Sequence, residues 1–116
     1  MSIETEVTFH GIEHSASLEA SIERWAFRLE HVHDRLVSCH VTVAQPHRHA
    51  MKGREFEVHV RLSISASEIV ATAHNVDVYI AVADAFRAAR RQLLDEMGVR
   101  RGKARPAFVT RYVSSV

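Results

Sequence analysis

The run from Phe56 to Ile64 places Phe56, Val58, Val60, Leu62 and Ile64 at every second position, with Glu57, His59, Arg61 and Ser63 between them. A two-residue period is the signature of a β-strand with one face buried and the other in water. Such a strand does not stand alone. Its backbone needs neighbouring strands and its apolar face needs a covering layer, so the rest of the chain must supply both.

Three further stretches fit the sheet. Ile3, Thr5, Val7 and Phe9 alternate with Glu4, Glu6, Thr8 and His10 until Gly11 breaks the pattern. Val37, Cys39, Val41 and Val43 alternate with Ser38, His40 and Thr42 in a strand that Pro46 ends. A turn near Ala66 and Ser67 leads to a fourth strand over 68–74, whose register stays open because Ile69, Val70 and Ala71 are all apolar.

Two helices supply the cover. From Ser17, placed as the N-cap, Leu18, Ile22, Trp25, Leu29, Val32 and Leu36 recur at spacings of three and four, which predicts a helix to about Val32 and a turn at His33 and Asp34. The last helix begins near Asn75 or Asp77, either of which could cap it. It runs through Tyr79, Val82, Phe86, Leu93 and Met97 to Gly98. At about 100° per residue, Arg87 and Arg91 fall just outside that stripe and Arg90 falls within it, where its head must snorkel or meet a partner.

The order β-α-β-β-β-α defines a single α+β domain, a four-stranded sheet with two helices on one face. The first two strands, joined through a helix, should be parallel with a right-handed crossover. A chain of 116 residues, 47% apolar and 25% charged, suits one core. We place that domain at residues 1–98 and a basic tail, expected to be flexible, at 99–116. No apolar run approaches the roughly 20 residues that span a bilayer, and Met1 to Phe9 resemble no leader, so a cytoplasmic protein without a membrane role is expected. The lone Cys39 allows no internal disulfide and reads as a small buried hydrophobe.

Charge is unevenly spread along the chain. Residues 1–86 hold 7 Lys/Arg against 12 Asp/Glu, whereas residues 87–116 hold 8 against 2. Concentrated positive charge at one end suits an anionic partner, nucleic acid before membrane.

The final helix also carries a recognisable pattern. Asp77-Val78-Tyr79-Ile80-Ala81-Val82, followed by Arg91-Gln92-Leu93, resembles the D-x-Y-x-A-(Ile or Val) and R-Q-L signatures of the ribosome hibernation-promoting factors, also called ribosome-associated inhibitor A, protein Y or sigma-54 modulation proteins. Leu29-Glu30, Asp34-Arg35, Cys39-His40-Val41-Thr42-Val43 and the Pro46-His47-Arg48-His49 loop agree in order, so the similarity covers about residues 3–97. The resemblance implies a fold like that of double-stranded-RNA-binding domains. It also implies a non-catalytic factor without cofactor or small-molecule substrate. Such a factor binds rRNA of the small ribosomal subunit near the mRNA and tRNA channel in stress or stationary phase and holds the ribosome idle. Recognition of folded RNA relies on shape and phosphate contacts, for which arginine is well suited. The candidate contacts are Arg87, Arg90 and Arg91 on the helix, Arg100, Arg101, Lys103 and Arg105 beyond it, and Arg48, Lys52 and Arg54 in the loop.

The chain departs from the family at Leu94-Asp95-Glu96, where lysines usually follow R-Q-L, so the phosphate contacts are weakened there or displaced into the tail. The dimerising second domain of long members has no room in these residues. In the tail, Phe108, Thr110 and Tyr112 alternate briefly, a pattern that could add to a sheet edge. Two rival readings remain: a protein-binding or structural module of the same fold, and a metal protein using the nine histidines. The histidines form no H-x-x-x-H helical pair, and a single cysteine builds no thiolate site, so no metal is expected. No phosphate loop or nucleophile elbow marks an enzyme.

Overall fold

The computed structural model of the chain describes residues 3–33, 35–45, 55–65 and 67–100. Its elements follow the expected order: β1 (Glu4–His10), α1 (Ala16–Glu30), β2 (Leu36–Ala44), β3 (Phe56–Ile64), β4 (Ser67–Asn75) and α2 (Val78–Arg100). The sheet order is β1-β2-β3-β4, with β1 parallel to β2 and the other pairs antiparallel. Alternation decides which face is buried. Cys39, Val41 and Val43 of β2, Val58 and Val60 of β3, and Ile69, Ala71 and Ala73 of β4 all lie beneath the helices. The fourth strand's open register is thereby resolved, and Val70 turns to the opposite face. Burial pushes the Cys39 thiol up to about 12, so it stays protonated and inert at neutral pH.

The second strand departs from simple alternation. Its register shifts between Leu36 and Ser38, and this bulge gives the core place to Leu36 while Val37 stands 58% exposed. Leu36 therefore belongs to the sheet and not to the helix stripe. Val32 follows the helix in a turn, its N–H donating to the Leu29 carbonyl at 2.9 Å.

The first helix starts earlier than expected. Ser15, not Ser17, is the N-cap, its Oγ accepting from the Leu18 N–H at 3.2 Å. Ser17 lies one position inside the helix, where its hydroxyl is 2.9 Å from the Tyr79 hydroxyl and ties α1 to α2. The sequence Ser15-Ala16-Ser17 offers two caps, and only the earlier one leaves the second hydroxyl on the flank that meets α2.

At the start of α2 both alternative caps are used. Asn75 Oδ1 accepts from the Asp77 N–H at 2.8 Å, and Asp77 Oδ1 accepts from the N–H groups of Tyr79 and Ile80 at 2.9 and 3.3 Å. Asp77 is the cap and Asn75 holds the turn before it. Replacing Asp77 by Ala should destabilise the domain by about 1 kcal/mol in urea unfolding, and Asp77→Asn by much less. Equal losses for the two variants would show that the carboxylate charge, not the cap, matters.

The buried stripe of α2 is broader and rotated from the expected one. Ala81, Ala85 and Ala89 complete it beside Val82, Phe86 and Leu93, because small residues let the helix lie close on β3 and β4. Tyr79 is consequently 46% exposed and Met97 only half-buried. Arg90 is not within the apolar stripe; it is exposed. The helix also passes through Gly98 to Arg100.

Candidate nucleic-acid interface

The helices lie side by side and run in the same direction, with Ser17 meeting Tyr79 near their starts and Trp25 meeting Phe86 further along. Trp25 is half-buried. Its ring stacks on Phe86 with centroids 5.8 Å apart and planes 14° from parallel. Two guanidinium groups close over the same indole: the Cζ of Arg28 lies 4.7 Å from its centroid and that of Arg87 lies 5.7 Å away. The indole thus brings a cation from each helix to one spot, a contact worth about 0.5–1 kcal/mol when exposed.

Around that spot the outer surface of the helix pair is cationic. Arg24 and Arg28 of α1 and Arg87, Arg90 and Arg91 of α2 are all exposed. Arg87 lies 3.5 Å from Asp84 Oδ1, while the other four make no ion pair among the described residues. Arg28 sits in the last turn of α1, where the negative end of the dipole favours positive charge. Of the acids of α1, Glu23 is exposed and the other two are engaged. Glu19 is 2.6 Å from His14 Nε2, and Glu30 Oε2 accepts from the Ile3 N–H at 3.4 Å beside β1.

The open face of the sheet has the opposite character. Glu4, Glu6, Glu57 and Glu68 lie there with Arg61. His10, His40 and His59, which alternation places outward, do point outward, and side chains of the sheet meet His40, His59 and the β4 residue His74. His40 Nε2 is 3.3 Å from Thr8 Oγ1, His59 Nδ1 is 2.9 Å from Thr72 Oγ1, and His74 Nε2 is 3.1 Å from Glu57 Oε2. Among the described residues no group of three or more His, Cys, Asp or Glu could hold a metal ion. A polyanion approaching this molecule therefore meets attraction on the helix face and repulsion on the sheet face.

Of the residues singled out from sequence, the structure brings Arg87, Arg90 and Arg91 together on one surface. Arg100 closes α2. Arg48, Lys52, Arg54, Arg101, Lys103 and Arg105 lie outside the described residues, as does the tail from 101 to 116. Arg24 and Arg28 were not singled out from the sequence, and Trp25 was read only as part of the buried stripe. The signal for the two arginines was the recurrence of Arg24, Phe27, Arg28 and His31 at helical spacing on the side away from Leu18, Ile22 and Leu29. A charge tally taken by halves of the chain conceals it. Gln92 of the R-Q-L segment has a structural place: its Nε2 donates to the Val70 carbonyl of the edge strand β4 at 3.3 Å. No described helix is long and apolar enough to cross a membrane.

Comparison with known proteins follows the same line. A family model described as Sigma 54 modulation protein / S30EA ribosomal protein matches residues 5–100. No curated protein matches by sequence. A ribosomal subunit interface protein from Coxiella burnetii superposes with a TM-score of 0.69 at 18% identity, over 83% of this chain and 99% of that one. The N-terminal domain of Protein Y from Thermus thermophilus gives 0.69 at 15% identity with the same coverage. At these identities the likeness establishes the fold.

Proposed function

The chain belongs to the Sigma 54 modulation protein / S30EA ribosomal protein family, and from that premise we propose that it is a hibernation factor that binds rRNA of the small ribosomal subunit near the mRNA and tRNA channel and suppresses translation in stress or stationary phase. Membership makes it a non-catalytic, ribosome-associated protein. The finer reading is ours, and one observation carries it. Trp25 gathers guanidinium groups from both helices into a cationic surface, while the opposite face is acidic. Arginines on a rigid surface are what phosphate-dominated recognition of folded RNA requires. The basic tail over 99–116 and the loop cations Arg48, Lys52 and Arg54 would extend the same contact.

Sucrose-gradient sedimentation with ribosomes tests the reading. At low salt the protein should travel with small subunits and monosomes. Raising salt from 50 to 200 mM should weaken association steeply, by about tenfold for every two phosphates that the protein neutralises, because the added cations compete for them. Absence from those fractions at low salt would refute the proposal. In a cell-free system, stoichiometric protein should lower translation, and no effect at saturating binding would remove the inhibitory role.

A further inference from the structure

Phe27 is 59% exposed in the last turn of α1, on a side of the helix that the core does not use. One helical turn before and after it on one flank lie Arg24 and His31, Arg28 follows it in sequence with its guanidinium over Trp25, and Glu23 and Glu30 lie one turn away on the other flank. The His31 ring meets the Phe27 ring edge-on, with centroids 5.1 Å apart and planes at 70°, and His31 Nδ1 lies 3.3 Å from the Phe27 carbonyl oxygen. This leaves an aromatic surface in water beside two exposed arginines that pair with no acid among the described residues.

From this arrangement we propose that Phe27 is a stacking platform for an unpaired RNA base whose flanking phosphates are held by Arg24 and Arg28. The inference rests on the RNA-binding reading above and specifies which form of RNA the α1 side takes. The chemistry selects this occupant. An unpaired nucleotide offers a flat π face together with a negative charge, which matches an aromatic ring with guanidinium groups along one flank. A duplex hides its base faces within the stack. An apolar protein surface would cover Phe27 only by burying the charged side chains around it.

Full-length protein should be titrated by fluorescence anisotropy with a labelled 12-nucleotide single-stranded RNA and with a blunt 12-base-pair RNA duplex. Phe27→Ala should weaken single-strand binding by about 5- to 100-fold, the range for one aromatic stack, and leave duplex binding unchanged. Phe27→Leu, still apolar but without a π face, should behave as Phe27→Ala. Phe27→Trp should bind at least as well as the unmodified protein. An exposed position tolerates these changes, and circular dichroism checks that they fold alike.

Equal single-strand affinity for the Ala, Leu and unmodified proteins overturns the proposal. So does full affinity in Phe27→Leu, which would mark a merely apolar contact, or a dimer in sedimentation analysis that Phe27→Ala dissolves. The two readings fail separately. Ribosome association with Phe27-independent single-strand binding removes this inference alone. A Phe27-dependent single-strand preference without ribosome association removes only the ribosomal reading.

Discussion

Replacing Arg87 and Arg91 together by Glu should remove the protein from the small-subunit and monosome fractions at low salt while leaving its urea-unfolding midpoint nearly unchanged. Both side chains are exposed and off the buried stripe, so their removal opens no cavity. The structural cost is small: an exposed ion pair with Asp84, of about 0–1 kcal/mol, and the Arg87 share of the Trp25 contact. The electrostatic effect is much larger, because the double replacement swings the local charge by about four units on the surface proposed to meet phosphates. Turning two attractions for phosphate into two repulsions should weaken association by roughly a hundredfold or more at low ionic strength. Adding Arg28→Glu should abolish what association remains, since Arg28 shares the indole with Arg87. Unchanged sedimentation of the variant would move the contact away from the helix pair, toward Arg48, Lys52 and Arg54 or toward Arg100, Arg101, Lys103 and Arg105. Loss of folding would show that the arginines are structural.

That test concerns the part of the candidate site to which the sequence pointed. Arg87 and Arg91 stand off an apolar stripe in the positively charged end of the chain, so periodicity and charge both point to them. Arg24 and Arg28 were hidden because they share their segment with Glu19, Glu23 and Glu30. Linear charge is blind to direction. Only the packing of α1 on β1 and α2 decides that Glu30 turns to Ile3 while Arg28 turns to Trp25 and Arg87.

The fold was legible for a related reason. Periods of two and of three to four residues are local, and they set the order of elements and the buried face of each strand. Where a tertiary contact chose between local equals, local pattern was not enough. Ser15 and Ser17 are equivalent caps until Tyr79 is present, and the buried alanines at 81, 85 and 89 shift the stripe of α2 so that Arg90 leaves it. The bulge at Val37 is likewise fixed by the register with β3 and not by any residue of β2 itself.

The largest loss of stability should come from Phe86, which is fully buried and joins the core to the candidate interface. Phe86→Ala should destabilise the domain by about 3–5 kcal/mol, the range for deleting a buried phenyl ring and leaving a cavity. That is a large fraction of the roughly 5–15 kcal/mol that holds a typical domain together. Phe86→Leu, which refills most of the volume, should lose much less. The ring also supports Trp25 from below, at 5.8 Å and nearly parallel, and Trp25 is the chain's single tryptophan. Its fluorescence therefore reports both unfolding in urea and any change around the indole in the folded protein. If Phe86 positions the Trp25 indole as well as filling the core, Phe86→Ala should shift the folded-state emission and weaken ribosome association even at temperatures where the variant remains folded. Trp25→Ala should then reproduce the binding defect with a smaller loss of stability, since Trp25 is only half-buried. A loss below about 1 kcal/mol for Phe86→Ala would mean that the helices repack around the gap, and normal ribosome association in that folded variant would separate the core from the site. The expected coupling follows from the geometry: the same indole that Phe86 holds in place is the surface on which Arg28 and Arg87 converge.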